Sequence, residues 1–525
     1  MIKIIKLIIA FSFLVGCQAT SDYLDSFTTD ERLKGERYSI LQAESKIRPD
    51  YSIENMQVYL PYPEENKRWY KSSGFSLLTP EHPRASRSFT FEGFSSRSMG
   101  KGSKNGQHLS ASPIVAKGKV ISLDGTGAIT AVDALNIKKQ YWRYENDEWK
   151  YDISTDLNKI RPAYAGMSYY EDVIYATTGY DQVIAINIDN GEEVWKRKLS
   201  GITRSAPAVR NGRVFVITAE NKLYAISARD GSILWTHSAV VEDISTIGSA
   251  SPVVVDNLVL VPYSSGDLYA LDVETGKEVW ADSFISGRSD ISSYEVHDIN
   301  TTPVVSRGNV YIISNDGVLA ASDVKTGIRI WEQDIAGDQA PWVAGDFLFV
   351  INNLSEVICI HTKTGGVRWV KQLPEYKNAD SKSGKIRWSG PVLAGGDLLV
   401  VGSHGVLSRI SPQTGKISSS ETIDIPDNIF ISPIVAYDTV YLYSDDAKLL
   451  ALRGNDILTL DKITGQLDEG NKSASSKQEN ESPISLESES LVDQIMQKAG
   501  NIKYKIKNVL TGSDNQTDPV KSEGK

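Results

Sequence analysis

From residue 113 to residue 452 the chain repeats one arrangement of apolar and polar positions. A run such as "VYIIS" (310–314) alternates between two faces, meets a tight turn of Gly, Asn or Asp, and returns as "VLAASDV" (318–324). "LVLVPY" with "LYALDV", and "VFVIT" with "LYAIS", do the same. Period-two alternation bounded by turn residues predicts short β-strands joined as hairpins. A second turn follows, written DNG, RDG, ETG, KTG or QTG, where glycine takes positive φ without steric cost. A further strand then carries a tryptophan four residues after that glycine, as from Gly276 to Trp280.

Prolines open seven such units, at Pro113, Pro207, Pro252, Pro303, Pro341, Pro391 and Pro433, and an eighth copy beginning near Ala165 lacks one. The period is roughly 46 residues, in the range of stacked or ring-forming repeats. Ten residues before each tryptophan stands a small residue: Ala185, Ala225, Ala270, Ala321 and Cys359 precede Trp195, Trp235, Trp280, Trp331 and Trp369. The first unit departs by one residue, Ala131 to Trp142, and has no turn glycine; the seventh carries Arg409 and Ser419 in these slots. Three or four short strands per unit predict an all-β fold, an eight-bladed β-propeller over residues 87–461. The Gly-His and Trp-Asp signatures of WD40 repeats are missing. In this reading the small residue lets neighbouring sheets approach, and the indole fills the wedge between blades. Burying one indole removes roughly 150–250 Å² from water, about 4–6 kcal/mol as an upper bound. The last unit stops without a tryptophan strand, so "RSFTFEGF" (87–94) is expected to complete its blade and remove an exposed sheet edge.

The flanks read differently. Residues 1–17, "MIKIIKLIIAFSFLVGC", pair two lysines with an apolar stretch too short to span a bilayer, as in a signal peptide. The closing "LVGC" resembles the bacterial lipoprotein signal, which makes Cys17 the lipidation site; the competing reading is an ordinary signal with an incidental cysteine. Gln18, rather than Asp, follows that cysteine and favours the outer membrane. Acyl chains contribute roughly 0.8 kcal/mol per buried methylene, enough to anchor a protein without a transmembrane helix. Residues 18–86 are polar and punctuated by "LPYPEEN" and "TPEHPR", which reads as a tether. Residues 462–525 are rich in Ser, Asn, Lys, Glu and Gly and read as a low-complexity tail. Within them, 491–510 places apolar residues at helical spacing beside three lysines: either a basic amphipathic helix for a membrane or partner, or an exposed marginal helix broken at Gly500.

Composition removes several classes. A net charge of −10 argues against nucleic acid as a partner. Cys359 is the one cysteine besides Cys17, so no disulfide can staple the mature chain, and the core must hold it. The six histidines show no ligand-type spacing, and no GxSxG, HExxH, CxxCH or phosphate-cradling GK[ST] loop occurs. Cys359 and His361 share a strand face. However, Cys359 fills the small-residue slot and His361 the slot held elsewhere by Asp272 and Asp323, so a turn role outweighs a metal. No catalytic residue, metal site or cofactor is expected.

The pattern "AxDxxTGxxxW", present as "ALDVETGKEVW" and "ASDVKTGIRIW", resembles the pyrroloquinoline-quinone (PQQ) propeller repeat. Quinoprotein dehydrogenases carry it around quinone and Ca²⁺, usually with adjacent cysteines, which this chain lacks; a PQQ-dependent periplasmic dehydrogenase-like propeller is the alternative reading. The lipoprotein signal, the eight units and "HDINTTPVVSRGNVYIISNDGVLAASDVKTGIRIW" resemble the BamB family of the outer-membrane β-barrel assembly (BAM) machinery. "VYLPYPEENKRWY" looks like the N-terminal extension of its alphaproteobacterial members. That resemblance implies a non-catalytic scaffold, lipid-anchored at the outer membrane and facing the periplasm. Its partners would be the POTRA domains of BamA, other BAM lipoproteins and unfolded outer-membrane protein clients. Family contact loops map onto Asp298 and Asn300 in one loop, and onto Ile244 and Ile247 in the preceding one. Asn300 stands where a second acid is common, and Ile247 where an arginine is often found.

Overall fold

The computed structural model describes residues 47–72, 80–86, 89, 94–103, 109–145, 165–179, 181–203, 205–240, 250–285, 299–422 and 428–454. These form eight four-stranded antiparallel sheets and one two-stranded hairpin. Each sheet is a meander whose first strand borders the first strand of the next sheet, so the sheets are blades of a ring around a central bore. Blades 1 to 7 span 114–144, 166–198, 208–238, 253–283, 304–334, 342–372 and 388–422; the hairpin Tyr376–Asn378/Ser383–Lys385 projects between blades 6 and 7. Blade 8 takes three strands from 434–452 and its outermost strand, Phe94–Ser98, from the other end of the repeat region. Sequence analysis put that strand at 87–94. It lies just downstream, sharing Phe94, and pairs Phe94 with Leu452 through Ser98 with Lys448.

Within a blade the register explains the repeat. The small residue sits directly across from the tryptophan: Ala185 from Trp195, Ala225 from Trp235, Ala270 from Trp280, Ala321 from Trp331, Cys359 from Trp369. Its lack of bulk lets an aromatic on the second strand reach over to the indole, as in Phe215–Trp235 (centroids 5.8 Å apart) and Tyr175–Trp195 (5.9 Å). The small residue also faces the next blade, since Ala185 packs in one cluster with Val214 and Ile226 of blade 3, and Ala225 with Val254 and Val261 of blade 4. The tryptophan reaches furthest across that seam.

There the indole covers the turn glycine of the following blade. At Gly276 φ is +70° and a Cβ would stand 2.5 Å from the Trp235 ring, so both backbone shape and space require glycine. The indole Nε1 also donates to a carbonyl of that blade. The bonds run Trp142 to Ile188 (2.8 Å), Trp195 to Ala228 (2.8 Å), Trp235 to Val273 (3.2 Å), Trp280 to Val324 (3.1 Å), Trp331 to Thr362 (2.7 Å) and Trp369 to Pro412 (2.9 Å). Six consecutive seams are thus stapled identically.

Residues 47–72 and 80–86 do not behave as a free tether. They form a strap laid on the ring. Asp50 N donates to Val367 O on the outer strand of blade 6 (2.7 Å), and Asn66 Nδ2 to Val435 O on blade 8 (2.7 Å). Trp69 exchanges both backbone bonds with Val115 on the inner strand of blade 1 (2.7 and 2.8 Å), and Ser72 N donates to Met167 O on blade 2 (2.9 Å). Returning, Trp342 of blade 6 donates through Nε1 to Glu81 O (2.9 Å), and Arg84 pairs with Asp438 of blade 8 (2.6 Å). Inner strands have one unpaired edge facing the bore, and Trp69 to Ser72 satisfy part of it. The expected lipidation site Cys17 and the tail 462–525, with its helix 491–510, lie outside the described residues.

Candidate functional site

Because each blade is a meander, the turns between strands one and two and between strands three and four emerge at one end of the ring. The turns between strands two and three, and the loops joining blades, emerge at the other. Ion pairs confirm the first grouping: Lys117 in a first turn of blade 1 meets Asp189 in a third turn of blade 2 at 2.9 Å. The strap lies over this turn end along blades 6, 7, 8, 1 and 2. The loop end is the end where Asn300 lies, and where the loops containing Ile244, Ile247 and Asp298 begin and finish.

The chain itself enters the bore. Trp69 is buried and stacks on Trp342 of blade 6, centroids 6.1 Å apart and planes 18° apart. Lys71, also buried, sends Nζ across to Pro252 O of blade 4 at 2.6 Å. Burial without a counter-charge lowers its amine to about 7. These side chains bring the strap into the bore between blades 1, 4 and 6. Among the described residues no group of three or more His, Cys, Asp or Glu is arranged to hold a metal. Cys359 is buried against Trp369 and its thiol is pushed up by burial. His361 meets Thr364 Oγ1 at 3.0 Å, as Asp272 meets Thr275 Oγ1 (2.7 Å) and Asp323 meets Thr326 Oγ1 (2.9 Å). The recurring acids therefore cap turns. Among the described residues, the His, Cys and recurring Asp side chains are committed to core and turn roles and do not fit a quinone–Ca²⁺ centre.

The loop end is different in kind. Ile202, Val240 and Ile285, from the loops that follow blades 2, 3 and 4, are 45%, 69% and 43% exposed. Ile202 and Val240 are held through their own carbonyls, and Ile285 follows the bonded Phe284. Ala219 N donates to Ile202 O (2.8 Å) and Phe284 N to Gly266 O (2.8 Å). Asn221 Nδ2 donates to Val240 O (2.6 Å), while its Oδ1 accepts from Ser264 N (3.1 Å) in the next blade. His237 below them meets Tyr263 Oη at 2.8 Å, and burial pulls its imidazole down and the phenol up. Asn300 is half-buried between Ile299, which enters the core, and Thr301, whose hydroxyl donates to Ile313 O (2.6 Å). Ile244, Ile247 and Asp298 fall outside the described residues. Sequence reasoning missed Ile202, Val240 and Ile285. Lone apolar residues just past a strand carry no periodic signal, though their recurrence at three consecutive blade exits was there to be aligned.

Comparison with known proteins agrees with this geometry. The family model described as outer membrane protein assembly factor BamB matches residues 139–371. The BamB assembly factor of Yersinia pestis is 24% identical over 334 residues, covering 63% of this chain and 81% of the relative. That of Salmonella typhimurium is 25% identical over 392 residues, covering 72% and 95%. The crystal structure of BamB from Moraxella catarrhalis superposes with a TM-score of 0.56 at 19% identity, covering 68% of this chain and 98% of that one. A europium-containing methanol dehydrogenase shares the ring at a TM-score of 0.52 and 15% identity, covering 69% and 87%, a likeness of fold alone. In its repeats and its relatives this chain is similar to the BamB family of PQQ-repeat propellers, and its ring shares their fold.

Proposed function

We propose that the protein is a non-catalytic scaffold in the assembly of outer-membrane proteins. In this reading it is anchored through lipid on Cys17, faces the periplasm, and offers the loop end of blades 2–5 to the POTRA domains of BamA. The observation that carries the proposal is the asymmetry of the ring. The strap covers the turn end along blades 6, 7, 8, 1 and 2 and sends Trp69 and Lys71 into the bore, while the loop end of blades 2–4 presents exposed aliphatic side chains on hydrogen-bonded loops. Exposed apolar residues gathered on one face mark an interaction surface. Anchoring at a membrane raises the effective concentration of a partner held there. Asp298 and Asn300 would supply polar contacts at the rim, and Ile244 and Ile247 apolar ones. The relatives named as assembly factors support the same role. A dehydrogenase would need the bore, which Trp69 and Lys71 enter.

The test is capture of BamA from detergent-solubilised membranes by the full-length protein. Ile244→Asp with Asp298→Ala is expected to lower recovery at least tenfold, and Val240→Asp with Ile285→Asp to do so independently. Undiminished capture by both double variants would overturn the proposed surface. Quinone absorbance after incubation with PQQ and Ca²⁺ would overturn the scaffold reading.

A further inference from the structure

Among the bonds that hold the strap to blade 7, one is made by a histidine whose two ring nitrogens have opposite duties. His82 is buried at 4% exposure. Its Nε2 receives the backbone N–H of Gly396, in the first turn of blade 7, at 2.8 Å. A backbone amide can only donate, so Nε2 must carry a lone pair. The proton of the neutral ring is then on Nδ1, which lies 2.7 Å from Pro61 O and donates to it. The ring therefore ties the outgoing leg of the strap to its returning leg, and both to blade 7. Alongside it, Glu64 N donates to His82 O (2.9 Å), Arg84 N to Glu64 O (2.7 Å) and Gly395 N to Pro83 O (3.1 Å).

We infer that the strap is an acid-releasable cover of the turn end, with His82 as its latch. Protonating Nε2 would point an N–H at the Gly396 N–H, leaving two donors face to face in a buried site. The charged groups linked to His82 through neighbouring chain positions or these bonds are Glu64, Glu81 and Arg84 of the strap, Asp397 of blade 7 and Asp438 of blade 8. Arg84 is committed to Asp438 at 2.6 Å, Glu81 accepts the Gly345 amide at 2.8 Å, and Asp397 lies 3.9 Å from Arg409. Release frees the imidazole to charge in water at its ordinary value of about 6.5. Docking is therefore fully present above that value and lost as pH falls below it. What release uncovers is specific: the bore-facing edges of blades 1 and 2, now paired to Trp69 and Ser72, and the outer-strand carbonyl of Val367.

Lys71 titrates in a separate window. Its docked amine sits at about 7 against 10.5 when free. It therefore strengthens docking as pH rises from about 7 towards 10.5, and contributes no slope in acid. This separates the two groups in experiment, and neither depends on which partner the loop end binds.

The decisive measurement is amide hydrogen exchange of the full-length protein from pH 8 to pH 5, corrected for the chemical exchange rate. Protection of the Trp69, Val115 and Gly396 amides is expected to fall about tenfold per pH unit below about 6.5, or roughly thirtyfold by pH 5. Amides in the middle strands, such as Val259 and Val310, keep theirs. His82→Gln is expected to flatten that acid limb, while Lys71→Met leaves it and removes the slope above pH 7. Unchanged strap protection down to pH 5, or loss in step with the middle strands, would overturn the inference. So would an imidazole ¹⁵N spectrum of the wild-type protein showing His82 protonated on Nε2 at pH 7.5, a result that needs no variant.

Discussion

Six seams of the ring are closed by an indole and two are not, and the two kinds are held by different physics. At the seam between blades 4 and 5, Trp280 covers the turn at Gly327 and donates to Val324 O, so one side chain supplies both area and a bond. Blade 7 has lost that arrangement. Across from Ser419 stands Arg409, which is 1% exposed and takes the volume the repeat gives elsewhere to an indole beside an alanine. Its guanidinium lies 4.3 Å from the Phe89 ring and donates through Nη2 to Ser86 O (3.2 Å), with Asp397 and Glu421 at 3.9 and 3.8 Å. Two carboxylates, one carbonyl and an aromatic face compensate the buried charge. They also tie the end of the strap to blade 7. At the last seam, Ala134 O of blade 1 stands where an indole would donate. It receives instead Tyr441 Oη (2.6 Å) and Arg453 Nη2 (3.1 Å) of blade 8, while Tyr443 Oη donates to Leu123 O (3.1 Å). The carbonyl keeps its duty although the donor changes. A repeat array closes where its two ends meet, and that is where repetition gives way to individual solutions.

The comparison can be broken from either side. Trp280→Ala removes an indole from a stapled seam and leaves a cavity that β-strands cannot collapse, so a loss of about 3–5 kcal/mol is expected by chemical denaturation. Arg409→Ala at an unstapled seam strands Asp397 and Glu421 beside a void and releases Ser86. About 3 kcal/mol is expected, together with faster proteolysis of the strap, which Trp280→Ala should not show at equal stability. Tyr441→Phe deletes one of two donors to Ala134 O and should cost about 1 kcal/mol. If it costs as much as Trp280→Ala, the closing seam works by a single bond after all.

Much of the ring was legible. Alternating runs, turn glycines and recurring tryptophans yield blades because each reports a local requirement: strand pleat, positive φ, an indole-sized gap. The eight units and the degenerate seventh follow from the same alignment. The turn role of Asp272, Asp323 and His361 was legible for the same reason, since Asx-type caps act within three residues. The closing strand was placed a few residues early because "RSFTFEGF" alternates as well as "FSSRS" does, and only pairing with 448–452 chooses between them. The loop-end site was half visible. Its predicted residues came from resemblance, while Ile202, Val240 and Ile285 became a surface only when consecutive blade exits were brought together.

What the sequence decided on its own is the blade, since its strands, turns and small-residue slots are set by neighbours within about forty residues. What only the tertiary structure decided is where 47–86 goes. Its prolines and polar residues suit extended chain anywhere, and nothing periodic in them names Val115, Pro252 or Gly396 as partners. Those contacts join residues up to 314 apart in the chain. They exist because the ring, once closed, presents a bore and unpaired inner edges that no single repeat possesses.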